Sequence, residues 1–293
     1  MKLDLNCGSC MVKQALSAMK WHQIASDRQV EIIGKIISDI PEYLDEPTPS
    51  HFQTILLKKL SEYLEIEDIY REEKQLQDNA ALSLRPFSLE QILNSPDPLF
   101  SSALFAVEGN IIDLTFFEKY DMKAVLQNVL KHNFSINHYE SFVSLLSRSK
   151  NITYIVDNAG EIVFDQLFIE QCQKWRCAHA LPPVVFTVIV KSEPTLNDAM
   201  ESDAFLIGLN KMCTIIKSGS NYLGLPLEKS SPEARSAVEH SDMIIAKGQA
   251  NFETLEAEKD LYGKIFFLLK TKCVHVAAFL GVPIESLVFY YPN

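Results

Sequence analysis

The sequence predicts an α/β protein whose first half is helical and whose second half contains a mainly parallel sheet. Apolar residues in the first half recur at helical intervals, as they do at Val12, Ala15, Leu16 and Met19. In the second half, short β-branched and apolar runs alternate with helical patterns, which is typical of β-α-β units. The 293 residues, 47% of them hydrophobic, can bury a sizeable core in one large domain or two closely packed ones.

Helical patterns account for most of the first half. The predicted helices cover residues 12–19, 30–40, 52–63, 103–117, 123–131 and 139–146. Pro41, Pro47 and Pro49 lie between the early segments, where they punctuate the helices.

A change of composition marks a boundary near residue 95. The stretch 82–98 is richer in Pro and Ser than its surroundings. We therefore predict a helical N-terminal subdomain over residues 1–95 and an α/β domain over residues 96–293, the two forming one compact unit.

Five strands are predicted in the second half. They cover residues 152–156, 184–190, 213–216, 243–246 and 265–269. Asp157, Lys191, Lys217 and Lys247 come just past the first four strands, at intervals of roughly 30 residues that fit β-α-β units. Ligands of such sheets bind beyond the carboxyl ends of the strands, near a switch in strand order. The polar residues at these ends are therefore the first candidates for a site.

The charge balance excludes some partners. A net charge of -11 and the absence of any long basic cluster argue against a nucleic-acid partner. They do not exclude a small phosphorylated molecule, because one metal ion and one lysine can reverse the local sign. No apolar run approaches the roughly 18 residues of a membrane span, and the first residues lack an apolar signal core. We expect a cytoplasmic protein with no membrane partner.

The six cysteines are too sparse for a disulfide scaffold. Cys7 and Cys10 form one CxxC motif, and no second CxxC completes a four-thiolate zinc site. A structural role and a metal or redox role are both open for this motif.

The segment from Asp157 to Glu161 carries the strongest chemical signal. Asp157 and Asn158 directly follow a predicted strand, where their side chains offer oxygen ligands to a cleft. Gly160 allows a tight turn, and the helix that follows offers free N–H groups to an anion. The alternative is that Asp157 or Asn158 simply caps that helix.

The next strand is followed by Lys191 and, a few residues later, by Asp198. Because adjacent parallel strands bring their ends together, Asp198 is expected to complete the same metal site. The alternative is a capping box in which Thr195 is the N-cap and Asp198 lies three residues later.

A third element begins with Lys247, Gly248 and Asn251. A lysine, a small-residue turn and a helix N-terminus together suit a phosphoryl group. The glycine spacing differs from that of a P-loop. The alternative is an ordinary strand-to-helix turn with an exposed lysine. Asn110, which interrupts an apolar stretch, is either a cleft residue or a satisfied buried amide.

These segments together resemble the metal-dependent damage-control phosphatases, a family also known as domain of unknown function 89 or ARMT-like. The motifs that carry the resemblance are Asp157-Asn158-Ala159-Gly160-Glu161, the Lys191 to Asp198 segment, and Lys247-Gly248-Gln249-Ala250-Asn251. The CxxC motif and the late Lys272-Cys273 pair resemble the prokaryotic branch. One departure is Ala250, where the family pattern has glycine.

The resemblance implies a three-layer α/β/α sandwich with a helical N-terminal part. It implies that Asp157, Asn158 and Asp198 hold a divalent metal, either Mg²⁺ or Mn²⁺, with Co²⁺ and Ni²⁺ as further candidates. It also implies that Lys247 faces the phosphate. We further expect Gly248, Asn251, Asn110 and Lys191 to bind substrate or phosphate.

We expect the protein to hydrolyse small phosphomonoesters, such as sugar or cofactor phosphates, with Asp157, Asp198 and Lys247 as catalytic residues. Either aspartate could accept the proton of the attacking water. Two alternatives stay open. One is an S-adenosylmethionine-dependent carboxyl methyltransferase, although only Gly160 is present where a glycine-rich loop is expected. The other is a metabolite-binding module without catalysis.

Overall fold

The computed structural model describes residues 1–109 and 122–293. Its helices are α1 (Asn6–Trp21), α2 (Ser26–Asp39), α3 (Pro49–Leu64), α4 (Arg71–Leu93), α5 (Pro98–Glu108), α6 (Met122–Val129), α7 (Tyr139–Arg148), α8 (Ile162–Ala178), α9 (Glu201–Leu206), α10 (Pro232–Glu239), α11 (Gly248–Leu255) and α12 (Val274–Leu280). Its strands are β1 (Ile136–Asn137), β2 (Asn151–Ile155), β3 (Val185–Val190), β4 (Thr214–Lys217), β5 (Met243–Lys247), β6 (Ile265–Lys270) and β7 (Leu287–Tyr290).

Several helices begin at a capping side chain followed by proline. Thr48, Asp97 and Ser231 each accept a hydrogen bond from a backbone N–H of the first turn, and each precedes the first residue of α3, α5 or α10. Proline suits this position because the first N–H groups of a helix have no partner within the helix. The sequence thus specifies these helix starts locally.

The stretch 82–98, expected to mark a boundary, is helical as far as Leu93. Pro86 lies inside α4 and removes one backbone donor. The helix continues because its second half packs on α5 and α8, so tertiary contacts override the local cost. The division into subdomains near residue 95 stays a prediction.

The sheet has seven strands in the order β1-β7-β6-β5-β2-β3-β4. All neighbouring pairs are parallel except β6 and β7. From β2 the chain runs outward through β3 and β4, then returns to place β5 on the other side of β2. The strand order therefore switches between β2 and β5, where α/β sheets form their binding crevice.

Both faces of the sheet are buried, which confirms the predicted α/β fold with its helical layers. Neighbouring residues of a strand point to opposite faces, so Tyr154 and Phe266 belong to one apolar cluster, while Ile155 and Phe267 belong to another. A third cluster lies among α1, α2 and α3 and includes Leu223 from the second half of the chain. Within the described ranges, no helix has the length and apolar character needed to cross a membrane.

Candidate active site

Two loops at the carboxyl end of the sheet are joined by backbone hydrogen bonds. Ala159 N donates to Asn197 O over 2.8 Å, and Ala199 N donates to Asp157 O over 2.8 Å. These bonds form an antiparallel bridge between Asn158 and Asp198. The loops that follow β2 and β3 are thereby held side by side, and the backbones of the three predicted metal ligands lie together.

The capping alternatives for these residues do not fit the structure. The N-cap of α8 is Glu161, and within the described chain no side chain caps that helix end. Asp198 lies in a turn closed by its N–H donating to Thr195 O, and the next helix begins only at Glu201. Asp157, Asn158 and Asp198 instead line a cleft of about 760 Å³.

Gly248 lets the loop after β5 approach the loop after β2 closely. It has a φ of +78°, and a Cβ atom at this position would lie 2.0 Å from Asp157 Oδ2. Only glycine fits a left-handed backbone pressed against a carboxylate. The N-terminus of α11 therefore lies directly against Asp157, as the small-residue turn predicts.

Negative charge accumulates at this point. Burial raises the pKa of Asp157 well above its usual range, and the charges of Glu161 and Asp198 raise it further. Burial also raises the pKa of Asp198, against the opposing effect of Lys191. Lys191 Nζ lies 3.4 Å from the buried Asp198 Oδ2, which is long for a hydrogen bond. A bound cation would offset the repulsion among the carboxylates of Asp157, Glu161 and Asp198.

The donor set fits a hard divalent cation. Two carboxylates and an amide oxygen are ligands that Mg²⁺ and Mn²⁺ prefer. Nowhere in residues 1–109 and 122–293 do three His, Cys, Asp or Glu side chains converge on one metal position. The candidate site consists of two aspartates and an asparagine. It is consistent with that observation, because asparagine is not one of those four residue types.

Lys247 lies behind the wall of this cleft and is fully buried. Its Nζ donates to Ala106 O over 2.6 Å, to Glu161 Oε1 over 2.5 Å and to Asp165 Oδ1 over 2.6 Å. Burial alone would lower the pKa of Lys247, but Asp165 and Glu161 raise it above its usual value. The alternative of an exposed lysine is therefore wrong. A direct contact with phosphate would require one acceptor to be released, and that role stays a prediction.

Lys191 and Asn251 also hold the framework. Lys191 Nζ donates to Tyr222 O over 2.7 Å and to Gly224 O. Asn251 Nδ2 donates to Val156 O and to Lys247 O, which ties the end of β2 to the end of β5. Their predicted contacts with substrate stay predictions, and Asn110 lies outside the described residues.

A family model described as the damage-control phosphatase ARMT1-like domain matches residues 4–288. The chain belongs to this family. The match confirms the resemblance and the phosphatase class of enzyme that it implies.

Individual relatives match this phosphatase along its whole length. A damage-control phosphatase of Pyrococcus horikoshii is 30% identical over 98% of this chain and 97% of its own length. A damage-control phosphatase of Archaeoglobus fulgidus is 28% identical over 98% of each chain. A crystal structure of a DUF89 family protein from Pyrococcus horikoshii superposes with a TM-score of 0.89 at 27% identity and covers 100% of both chains.

The cleft of this phosphatase contains polar residues beyond the site residues predicted from the sequence. Lys20, Lys270 and Lys272 line it together with five amide side chains. These amides belong to Gln14, Gln23, Gln53, Gln77 and Gln249. Lys272 follows β6 by two residues, so the rule applied to the other strand ends would have found it. The amides carry no local signal, because the four from the N-terminal half meet Gln249 of α11 only through tertiary packing.

The cysteines of the phosphatase do not form the metal cluster that the CxxC motif left open. Cys10 and Cys273 line the cleft, and Cys7 is buried beside them. No three-ligand group that includes them occurs in the part of the chain described here. Burial raises the pKa of both Cys7 and Cys10, which favours neutral thiols.

Proposed function

We propose that this phosphatase hydrolyses small phosphorylated metabolites with the help of a divalent cation held by Asp157, Asn158 and Asp198. The observation that carries this proposal is the backbone bridge between Asn158 and Asp198, which joins three oxygen-bearing side chains in one cleft. Mg²⁺ and Mn²⁺ suit these donors best, and Co²⁺ and Ni²⁺ are further candidates.

Each part of the proposed site has a separate role in hydrolysis. Asp157, Asn158 and Asp198 would hold the divalent cation, which would polarise the phosphoryl group and orient a water molecule for attack. Asp157 or Asp198, both of which line the cleft, would accept the proton of that water. The N-terminus of α11, which Gly248 brings against Asp157, adds backbone N–H groups for an oxygen of the phosphate.

Lys272 is our proposed cation for the phosphate. It lines the cleft, and its charge lowers the pKa of Asp157, which is otherwise raised chiefly by burial. The Lys272 side chain is exposed, whereas Lys247 and Lys191 are buried. A cation at the cleft surface neutralises the non-bridging oxygens as the transition state forms.

The rest of the cleft suits the organic part of the substrate. Its volume of about 760 Å³ exceeds what one phosphate group occupies, and its helical wall is rich in amide side chains. Amides donate and accept hydrogen bonds, so they suit hydroxyl-bearing molecules such as sugar phosphates or cofactor phosphates. A nucleic-acid partner is not expected, given the net charge of -11.

A screen tests this function. The protein is freed of metal with EDTA and incubated with sugar and cofactor phosphates in the presence of Mg²⁺, Mn²⁺, Co²⁺ or Ni²⁺. We expect release of inorganic phosphate from at least one ester with added metal, and none with EDTA alone. Release that is indifferent to metal would refute the proposed role of the cation.

A further inference from the structure

We propose that Glu161 is a positioning residue, which Lys247 holds in place and which fixes the Asn158 amide with its oxygen available to the cation. This inference rests on the proposed function, because it assumes that Asn158 is a metal ligand. It assigns to Lys247 an action through Glu161 and not on the phosphate.

Glu161 uses both carboxylate oxygens. Oε1 accepts from Lys247 Nζ over 2.5 Å, and Oε2 accepts from Asn158 Nδ2 over 3.2 Å. The Glu161 side chain is 2% exposed and that of Lys247 is 0% exposed, so water does not compete for these bonds. The carboxylate thus links a buried cation at the end of β5 to an amide in the loop that follows β2.

The hydrogen bonds of Asn158 determine which amide atom remains for a ligand. Its Nδ2 donates to Glu161 Oε2 and also to Asp157 Oδ2 over 3.1 Å. The Glu161 carboxylate is paired with Lys247, and Asp157 is ionised when it ligates a cation. An ionised carboxylate cannot donate in return. Turning the amide would set its oxygen against two negative charges. The oxygen therefore remains on the cleft side, and only an oxygen can coordinate a cation.

Lys247 is needed to keep Glu161 in this position. Asp157, Glu161 and Asp165 are all buried, and their charges would otherwise repel one another. Lys247 joins two of these carboxylates, while Tyr154 donates to Asp165 Oδ1 over 2.7 Å and fixes the other side of the network. Without the cation, the charges of Asp157 and Asp165 would repel the Glu161 carboxylate from its position beside Asn158.

Replacing Glu161 with glutamine distinguishes the loss of a hydrogen-bond acceptor for Asn158 from the loss of a negative charge. Glutamine offers one acceptor and one donor group, whereas Lys247 and Asn158 each require an acceptor. In Glu161→Gln the amide oxygen satisfies Lys247, and Asn158 loses its second acceptor. In the double variant Glu161→Gln with Lys247→Met, the same oxygen is free to accept from Asn158, and the net charge equals that of the wild type.

The experiment measures the dissociation constant of Mn²⁺, from the EPR signal of free Mn²⁺, alongside thermal unfolding. We expect Glu161→Gln to weaken Mn²⁺ binding about 10- to 100-fold, the usual effect of losing an outer partner of a metal ligand. Asp165→Asn, which removes the same charge from Lys247 without touching Asn158, should weaken it far less. Glu161→Gln/Lys247→Met should recover most of the affinity, and Glu161→Leu/Lys247→Met, which lacks an acceptor, should not.

Two results would overturn the inference. One is equal loss in Glu161→Gln and Asp165→Asn, which would show that charge alone matters, and this comparison needs no Lys247 variant to fold. The other is equal affinity in the two double variants. If the wild-type protein fails to bind Mn²⁺ at all, the proposed function fails with it, whereas wild-type binding with either result above leaves that function standing.

Discussion

Lys247→Met removes the cation that joins Glu161 and Asp165 in the buried network behind the cleft. Methionine has nearly the same length as lysine and fills the space without a charge. The carboxylates of Glu161 and Asp165 then remain, 2% and 0% exposed, with no cation at 2.5 and 2.6 Å. The variant isolates the electrostatic part of the interaction from packing.

The expected cost follows from this burial. Breaking a buried ion pair by removing one partner costs about 3–5 kcal/mol, because an unpaired charge stays in the interior. For a chain of this size each kcal/mol lowers the melting temperature by roughly 2 °C, so we expect a decrease of about 6–10 °C.

The loss should depend on pH. Burial already raises the pKa of Asp165 to about 6, although Lys247 opposes that rise. Removing Lys247 raises this pKa further above the value in the unfolded chain. A raised folded-state pKa gives stability that is present at low pH and is lost as the pH rises. The deficit of the variant should therefore grow from pH 5 to pH 8.

Thermal unfolding followed by circular dichroism measures the effect. Lys217→Met is the matched control, because Lys217 also ends a strand but pairs with Glu201 at the surface, with the two side chains 52% and 38% exposed. Such a pair contributes roughly 0–1 kcal/mol. Equal melting temperatures for the two variants would refute the view that Lys247 neutralises a buried network.

Two further changes test the cleft itself. Gly248→Ala should abolish Mn²⁺ binding because its Cβ would lie 2.0 Å from Asp157 Oδ2. Gly263→Ala is the control, because Gly263 has a similar φ, +79° against +78°, but open space around the Cβ in the described structure. Gly263→Ala should therefore keep its Mn²⁺ affinity. Equal Mn²⁺ affinity in both variants would contradict the close approach. Lys272→Met should lower kcat/KM for an accepted ester by about 10²–10³ while Mn²⁺ affinity is kept, as expected for loss of one electrostatic stabiliser. Lys20→Met, on the rim of the same cleft, is the control, and an equal decrease in both would contradict a specific role for Lys272.

The sequence predicted the sheet more completely than the site. The five predicted strands all occur, with ends shifted by a residue or so, because β-branched runs and helical periodicity are local signals. The two-residue strand β1 was missed, since it is too short to show a pattern. Strand β7 is not among the five predicted strands. Its antiparallel pairing with β6 is determined by the tertiary fold and not by a local pattern.

Side-chain direction at the site was harder to predict. The strand-end rule identified Asp157, Asn158 and Asp198, and the structure brings them together. It also identified Lys247 but not its carboxylate partners, Glu161 and Asp165, which lie at the start of α8, more than eighty residues earlier in the chain. A lysine that follows a strand points to solvent or to the interior, depending on whether tertiary packing brings carboxylates close to it. No local sequence pattern predicts those carboxylates.

Direct binding of Mn²⁺ to the metal-free protein, measured together with phosphate release from an accepted ester, tests the central claim. We expect wild-type protein to bind a single Mn²⁺ ion per chain at this cleft and to require it for turnover. Asp198→Ala should lose both Mn²⁺ binding and turnover while keeping its fold by circular dichroism. Wild-type Mn²⁺ affinity and turnover in Asp198→Ala would contradict the assignment of this cleft as the metal site.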